Sequence, residues 1–167
     1  MKNKLQNIHP LTYLLTFPLL SLIYTMLNND YGTVYSLVTD LDRMIPFNKY
    51  FILPYMLWSP FILAMLVYFC RNDRKVYFNV MVTINLGLII NYLTYSIFQT
   101  TVPRPVITGT DLWSEAVRFL YSMDKPYNCF PSGHVLTSYA VMYGCYKMQH
   151  IGRYNIGKCG DEFCRSL

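Results

Sequence analysis

Residues 76–98 read VYFNVMVTINLGLIINYLTYSIF, a stretch with no fixed charge anywhere along it. At about 1.5 Å per helical residue it is long enough to cross the ~30 Å hydrocarbon core of a bilayer. The whole chain has the same character: of 167 residues, 53% are hydrophobic and only 14% charged. Mean hydropathy is +0.23. That balance fits an integral membrane protein and argues against a soluble domain of this size. The 16 tyrosines, 10 phenylalanines and 2 tryptophans supply many interfacial anchors.

Working outward from this run, Arg71-Asn72-Asp73-Arg74-Lys75 is a short charged turn, and before it Tyr50 to Cys70 forms another apolar run. Only Pro54 and Pro60 interrupt that run, and spanning helices tolerate proline with a kink. Leu11 to Leu27 is apolar as well, with Pro18 inside it. No small-residue cleavage site follows, so a retained first span is expected rather than a signal peptide. On the other side, Ser132 to Tyr146 begins a further run, which reaches spanning length over 130–148. The expected fold is therefore an all-α, multi-pass membrane bundle of about four transmembrane helices (about 11–27, 50–70, 76–98 and 130–148). These make a single membrane domain over 1–149, followed by a polar cytoplasmic tail over 150–167. In the last outer loop, Asp111 to Met123 reads as a short amphipathic helix, capped by Asp111 or Thr110, which lies in the interface or packs on the spans.

The net charge of +5 comes from 14 basic and 9 acidic residues. If the N-terminus is cytoplasmic, Lys2, Lys4, Arg71, Arg74, Lys75, Lys147, Arg153, Lys158 and Arg165 lie inside. Arg43, Lys49, Arg104, Arg118 and Lys125 then lie outside. The excess inside supports that orientation and puts the long 99–131 loop on the extracytoplasmic side of a cell membrane. The basic residues form no soluble patch, so a nucleic-acid partner is not expected. No acidic residue lies within a span to couple ions, which weakens a transporter reading. Asn85, Asn91, Ser96 and Gln99 suggest hydrogen bonding between helices. The cysteines (Cys70, Cys129, Cys145, Cys159, Cys164) are odd in number and scattered, so neither a disulfide framework nor a metal site is expected.

Two stretches carry chemistry. In Tyr127-Asn128-Cys129-Phe130-Pro131-Ser132-Gly133-His134, a polar loop turns into an apolar helix. Ser132 is a natural N-cap, Gly133 admits a ligand to the backbone, and His134 adds a group able to trade protons near neutrality. Unpaired N–H groups and the dipole favour an anion there. An ordinary helix cap is the bland alternative. In Val102-Pro103-Arg104-Pro105, the flanking prolines stiffen the backbone that presents the guanidinium, which suits phosphate capture. An Arg at a span end is otherwise a snorkelling anchor. Arg104 and the 132–134 turn cap adjacent spans on one face, so they can converge.

"VPRP" followed by "YSMDKPYNCFPSGHVLTS" resembles the first and second motifs of the type 2 phosphatidic acid phosphatase superfamily. That family includes membrane lipid phosphatases and inositol phosphorylceramide synthase-like transferases. The likeness runs from the third span to Tyr146, with Asp124, Pro126 and Asn128 in the Asp-x-Pro-x-Asn that precedes PSGH. It implies phosphate binding by Arg104, Ser132 and Gly133, and His134 as the general acid that protonates the leaving alcohol, with no cofactor and no metal. Where many members carry a Lys seven residues before the Arg, this chain has Ile97, and Gln99 is a candidate substitute. The family's third motif (Ser-Arg, five residues, His, three residues, Asp), which supplies the nucleophile, has no match here. His150 lacks both flanking elements and is expected on the cytoplasmic side.

The implied parent activity is hydrolysis of a lipid phosphomonoester or diphosphate at the extracytoplasmic face. This chain is expected to be cut short before the nucleophile and inactive. Two alternatives stand beside it: a lipid phosphotransferase of the same superfamily, and a non-catalytic four-span protein that binds a phosphate-bearing lipid or a partner.

Overall fold

A computed structural model describes residues 10–30 and 32–165, with side chains placed as far as Gln149. Helix α1 (Thr16–Leu27) continues from a 3₁₀ turn over Pro10–Leu15; α2 (Asp40–Met44) is short; a 3₁₀ turn at Lys49–Phe51 leads into α3 (Ile52–Asn72). Then come α4 (Arg74–Ile97), α5 (Leu112–Met123) and α6 (Gly133–Arg165). The protein is mostly helical, and three helical segments are long and apolar enough to cross a membrane: Pro10–Leu27, Lys49–Asn72 and Arg74–Ile97. The segment expected as a fourth span forms the start of α6, which is not among the three. The α6 backbone runs on through the stretch read as a tail; the side chains of His150, Cys159 and Cys164 lie outside the described residues.

The charged turn is tighter than a loop. Asp73 ends α3 by donating its N–H to Phe69 O (2.8 Å) and caps α4 by accepting from the N–H groups of Lys75 (2.8 Å) and Val76 (3.0 Å). One residue thus satisfies orphan groups of two helices and reverses the chain. Ile62, Leu66, Phe69, Val80, Ile84 and Val141 form the core among α3, α4 and α6. Two glycines let these helices close up. A Cβ on Gly144 would lie 2.7 Å from Val80 and 2.9 Å from the Phe69 ring, and one on Gly87 would lie 2.6 Å from Leu136. Small residues at helix contacts are the usual means of close approach where water does not drive packing. Outside this core, Leu19, Leu57, Leu86 and Leu93 are exposed, an apolar exterior unlike that of a water-soluble protein.

The helices alternate in direction. At one end, Tyr77 Oη donates to Pro10 O (2.9 Å), beside the Asp73 turn. At the other end gather the segments 28–51 and 98–132. There the fold departs from all-α: β1 (Val34–Ser36) and β2 (Gln99–Thr101) pair in parallel, Val34 with Gln99 and Ser36 with Thr101. Both segments leave a helix at the same end, α1 at Leu27 and α4 at Ile97. Their backbone groups then pair with each other, since partly buried N–H and C=O groups need partners. Helix α2, in the stretch between the first two apolar runs, is held by a capping box between Thr39 and Asp42.

The polar residues of the third span divide. Asn91 Nδ2 reaches Pro131 O (3.5 Å), and Gln99 Nε2 donates to Leu27 O (3.3 Å) and Asn29 O (2.5 Å). Both bond outside α4 as expected, but to the segments beside α6 and α1 and not from helix to helix. Asn85 and Ser96 instead donate to carbonyls of their own helix, Met81 O and Tyr92 O (both 2.8 Å). Their geometry corrects the sequence reading: a short side chain on a helix finds the carbonyl four residues back before it finds a neighbour.

Candidate functional site

Arg104 sits at the polar end of the bundle, where it works on α5. Its Nη1 donates to Tyr121 O (3.2 Å) and Asp124 O (2.5 Å), its Nη2 lies 3.7 Å from the Asp124 carboxylate, and its guanidinium is 4.4 Å from the Tyr121 ring centre. These carbonyls are the orphan acceptors of the α5 C-terminus, so Arg104 is a C-terminal cap. One guanidinium has five N–H donors, and this cap leaves donors for a ligand.

Asp124 is fixed in turn. It accepts from Tyr24 Oη (3.0 Å) and Asn28 Nδ2 (2.7 Å), which ties the end of α1 to the Arg104 loop. Asn128 closes the same junction from a left-handed backbone (φ 60°) that Asn tolerates better than most residues. Its N–H donates to Thr100 O (2.7 Å) and its Nδ2 to Leu27 O (2.9 Å). Gln99, the candidate substitute for the missing Lys, is buried and bonded to the α1 terminus, so its amide does not face a ligand. Ile97 is 86% exposed and offers nothing polar.

The 132–134 turn forms as the sequence suggests. Ser132 caps α6, its Oγ accepting from Val135 N (3.3 Å) and its carbonyl from Leu136 N (3.1 Å). The cap uses the hydroxyl as an acceptor, so its O–H remains a donor. A Cβ added at Gly133 would meet only Leu88 Cδ2, at 3.6 Å. Packing therefore does not demand glycine there. His134 is held between two rings, 4.1 Å from Trp58 and 4.8 Å from Tyr55, centre to centre. Trp58 is oriented by its Nε1–H, which donates to Ser138 Oγ (3.0 Å).

A cleft of about 250 Å³ opens between the start of α3 and α5, lined by Arg104, Asp124, Tyr121, Tyr55, Lys49 and apolar side chains. Ser132, Gly133 and His134 do not line it. Tyr55 connects the two halves: it borders the Arg104 cleft and lies against His134. At the far end of α5, Lys49 Nζ is 2.6 Å from Asp111 Oδ2, and Asp111 caps α5 through Trp113 N (3.1 Å) and Ser114 N (3.3 Å). The Lys49 and Ser114 hydrogen bonds hold the Asp111 carboxyl well below the usual carboxylate range. Arg118 lowers Glu115 in the same way.

Sequence reasoning missed Tyr24, Asn28, Tyr55, Trp58 and Lys49. Each meets the site across a separation of dozens of residues, as Trp58 does with Ser138, and nothing in local spacing marks such a pairing. Among the described residues no group of three or more His, Cys, Asp or Glu is placed to hold a metal. No family model, curated protein or solved structure matches the chain.

Proposed function

We propose that this chain is a four-span membrane protein that binds the phosphate of a lipid at the extracytoplasmic end of its bundle. In this reading α6 is the fourth span, and Arg104, Ser132 and Gly133 hold phosphate oxygens, as the likeness to the type 2 phosphatidic acid phosphatase superfamily implies. His134 is the general acid beside them. The observation that carries the proposal is the position of Tyr55, which borders the Arg104 cleft and lies against His134. One aromatic side chain thus touches both the cleft that holds the cation and the imidazole.

Phosphoryl transfer requires an activated nucleophile in line with the leaving oxygen. Within these 167 residues nothing matches the superfamily's Ser-Arg…His…Asp pattern. The function these residues support is therefore binding, with proton donation available but no attack on phosphorus.

The test is titration of the purified chain, in amphipol, with dihexanoyl phosphatidic acid, alongside an assay for released inorganic phosphate. Binding is expected without release. Arg104→Gln is expected to weaken it by tenfold or more, and Arg104→Lys to recover part of the loss. Unchanged affinity in both variants overturns the phosphate assignment, and release of phosphate by the wild-type chain overturns the non-catalytic reading.

A further inference from the structure

Helix α4 packs on α1, α3 and α6, and one of its faces is left uncovered. Asn79, Thr83, Leu86, Ile90, Leu93 and Ile97 are all exposed. Their spacing alternates between four residues and three, so all six lie within about 40° of one line along the helix. That is the spacing of a seam between paired helices. Leucine and isoleucine facing lipid need no partner, because acyl chains are as apolar as they are. Asn79 is different. With α4 centred on a ~30 Å hydrocarbon core, it lies inside the core, about 7.5 Å along the helix from Arg74. Asn72 and Asn85 satisfy their amides on carbonyls of their own helices, Tyr68 O and Met81 O (both 2.8 Å), and Asn91 reaches Pro131 O (3.5 Å). Among the described residues the Asn79 amide has no hydrogen bond. Its carbonyl alone is used, accepting from Thr83 Oγ1 (2.8 Å). An amide turned toward lipid without a partner is costly.

We propose that this face of α4 is the interface of a two-fold dimer, closed by hydrogen bonds between Asn79 and Asn79 of the partner subunit. Copies inserted in the same direction present α4 in parallel. A two-fold axis along the membrane normal then sets each seam residue opposite itself. A polar residue that pairs with itself must be donor and acceptor at once. Asparagine is both: Nδ2 donates and Oδ1 accepts, so two copies exchange two hydrogen bonds. A single charged residue there would instead repel its copy. One polar residue in an otherwise apolar seam also fixes the register and the number of strands. With Asn79 paired, Leu86, Ile90 and Leu93 meet their counterparts along about 27 Å of helix. The dimer rests on α4 crossing the membrane and is independent of what Arg104 binds.

The experiment measures Förster transfer between donor- and acceptor-labelled full chains in phosphatidylcholine vesicles over a wide range of protein-to-lipid ratios. The wild type is expected to titrate as a monomer–dimer equilibrium. Asn79→Leu keeps the seam apolar but removes the amide, and is expected to weaken the dimer by about tenfold. Asn79→Gln restores a self-pairing amide and recovers part of that loss. Asn79 is exposed, so neither substitution disturbs the core, and circular dichroism checks the helix content. A second measurement locates the contact by oxidative cross-linking in the same vesicles, above the background of the native cysteines. Ile90→Cys, in the middle of the seam, is expected to cross-link to its copy, and Leu63→Cys, also exposed but on α3, is not. Transfer no greater than that of randomly mixed chains at every ratio overturns the dimer. An Asn79→Leu dimer as tight as the wild type overturns the amide pair. Ile90→Cys that cross-links no more than Leu63→Cys places any contact on another face and overturns the proposal as well.

Discussion

Replacing Asp124 by alanine tests whether the junction between α1 and the Arg104 loop is held by this one carboxylate. Asp124 accepts from Tyr24 Oη at 3.0 Å and Asn28 Nδ2 at 2.7 Å, and it faces Arg104 Nη2 at 3.7 Å. A hydrogen bond to a charged group contributes about 1.5–3 kcal/mol. The Asp124 side chain is 31% exposed, which places these two bonds at the low end, about 3 kcal/mol together. The longer contact with Arg104 adds at most about 1 kcal/mol. Asn28 is only 6% exposed and its Oδ1 has no hydrogen-bond partner among the described residues, so the alanine variant leaves a buried amide unpaired. Asp124→Ala is expected to destabilise the protein by about 3 kcal/mol, and Asp124→Asn, which keeps one acceptor oxygen, by about 1 kcal/mol. The assay is reversible unfolding in mixed micelles of rising SDS fraction, followed by circular dichroism. An Asp124→Ala/Asn28→Ala cycle is expected to show a coupling of about 1 kcal/mol or more. If Asp124→Ala unfolds within about 0.5 kcal/mol of the wild type, or the cycle shows no coupling, the junction is held by something else.

Other consequences follow from the packing and the charges. Gly144→Ala is expected to cost about 1–3 kcal/mol, because the new Cβ meets the buried Phe69 ring and Val80 at 2.7–2.9 Å. Gly87→Ala meets only the ends of the Leu136 side chain, which can rotate away, so its thermal midpoint in detergent should fall less than that of Gly144→Ala. Gly133→Ala is expected to leave that midpoint unchanged, since its Cβ would stand 3.6 Å from Leu88, while weakening binding of phosphatidic acid. A lowered midpoint would mean the glycine is structural. The Asp111 carboxyl is depressed in the folded state, so its contribution is present above the ordinary carboxylate pKa. It is lost as pH falls below about 4 and through the folded value. Trp113 packs on Tyr50, so its fluorescence should report loosening of α5 in that acid window, and Asp111→Asn should reduce the acid transition to the part carried by Glu115. Cys129 is exposed at the polar end and Cys70 is buried. A variant retaining only Cys129 should therefore react with a membrane-impermeant maleimide added outside intact cells, and labelling only after lysis would reverse the proposed orientation.

How much the sequence disclosed depended on the range of the interaction. The apolar runs, the Asp73 turn, the Asp111 cap and the Ser132 cap are set by residues within a few positions of one another, and all could be read directly. The small parallel sheet could not, because Val34 and Gln99 are brought side by side only by the packing of α1 against α4. The same holds at the site. Ser132, Gly133 and His134 were legible as a turn, and Arg104 as a cation on a stiff backbone. That Arg104 caps α5, and that His134 lies between Tyr55 and Trp58, depended on how α3, α5 and α6 meet.

By itself, then, the sequence determined a helical chain with runs long and apolar enough to cross a membrane and placed the polar groups at the ends of those runs, since hydrophobic length and local capping are properties of contiguous residues. Only the tertiary structure decided which ends gather together, what Arg104 and Asp124 hold, and where a cleft opens beside a cation. Those are consequences of which helices meet in space, and no local spacing encodes them.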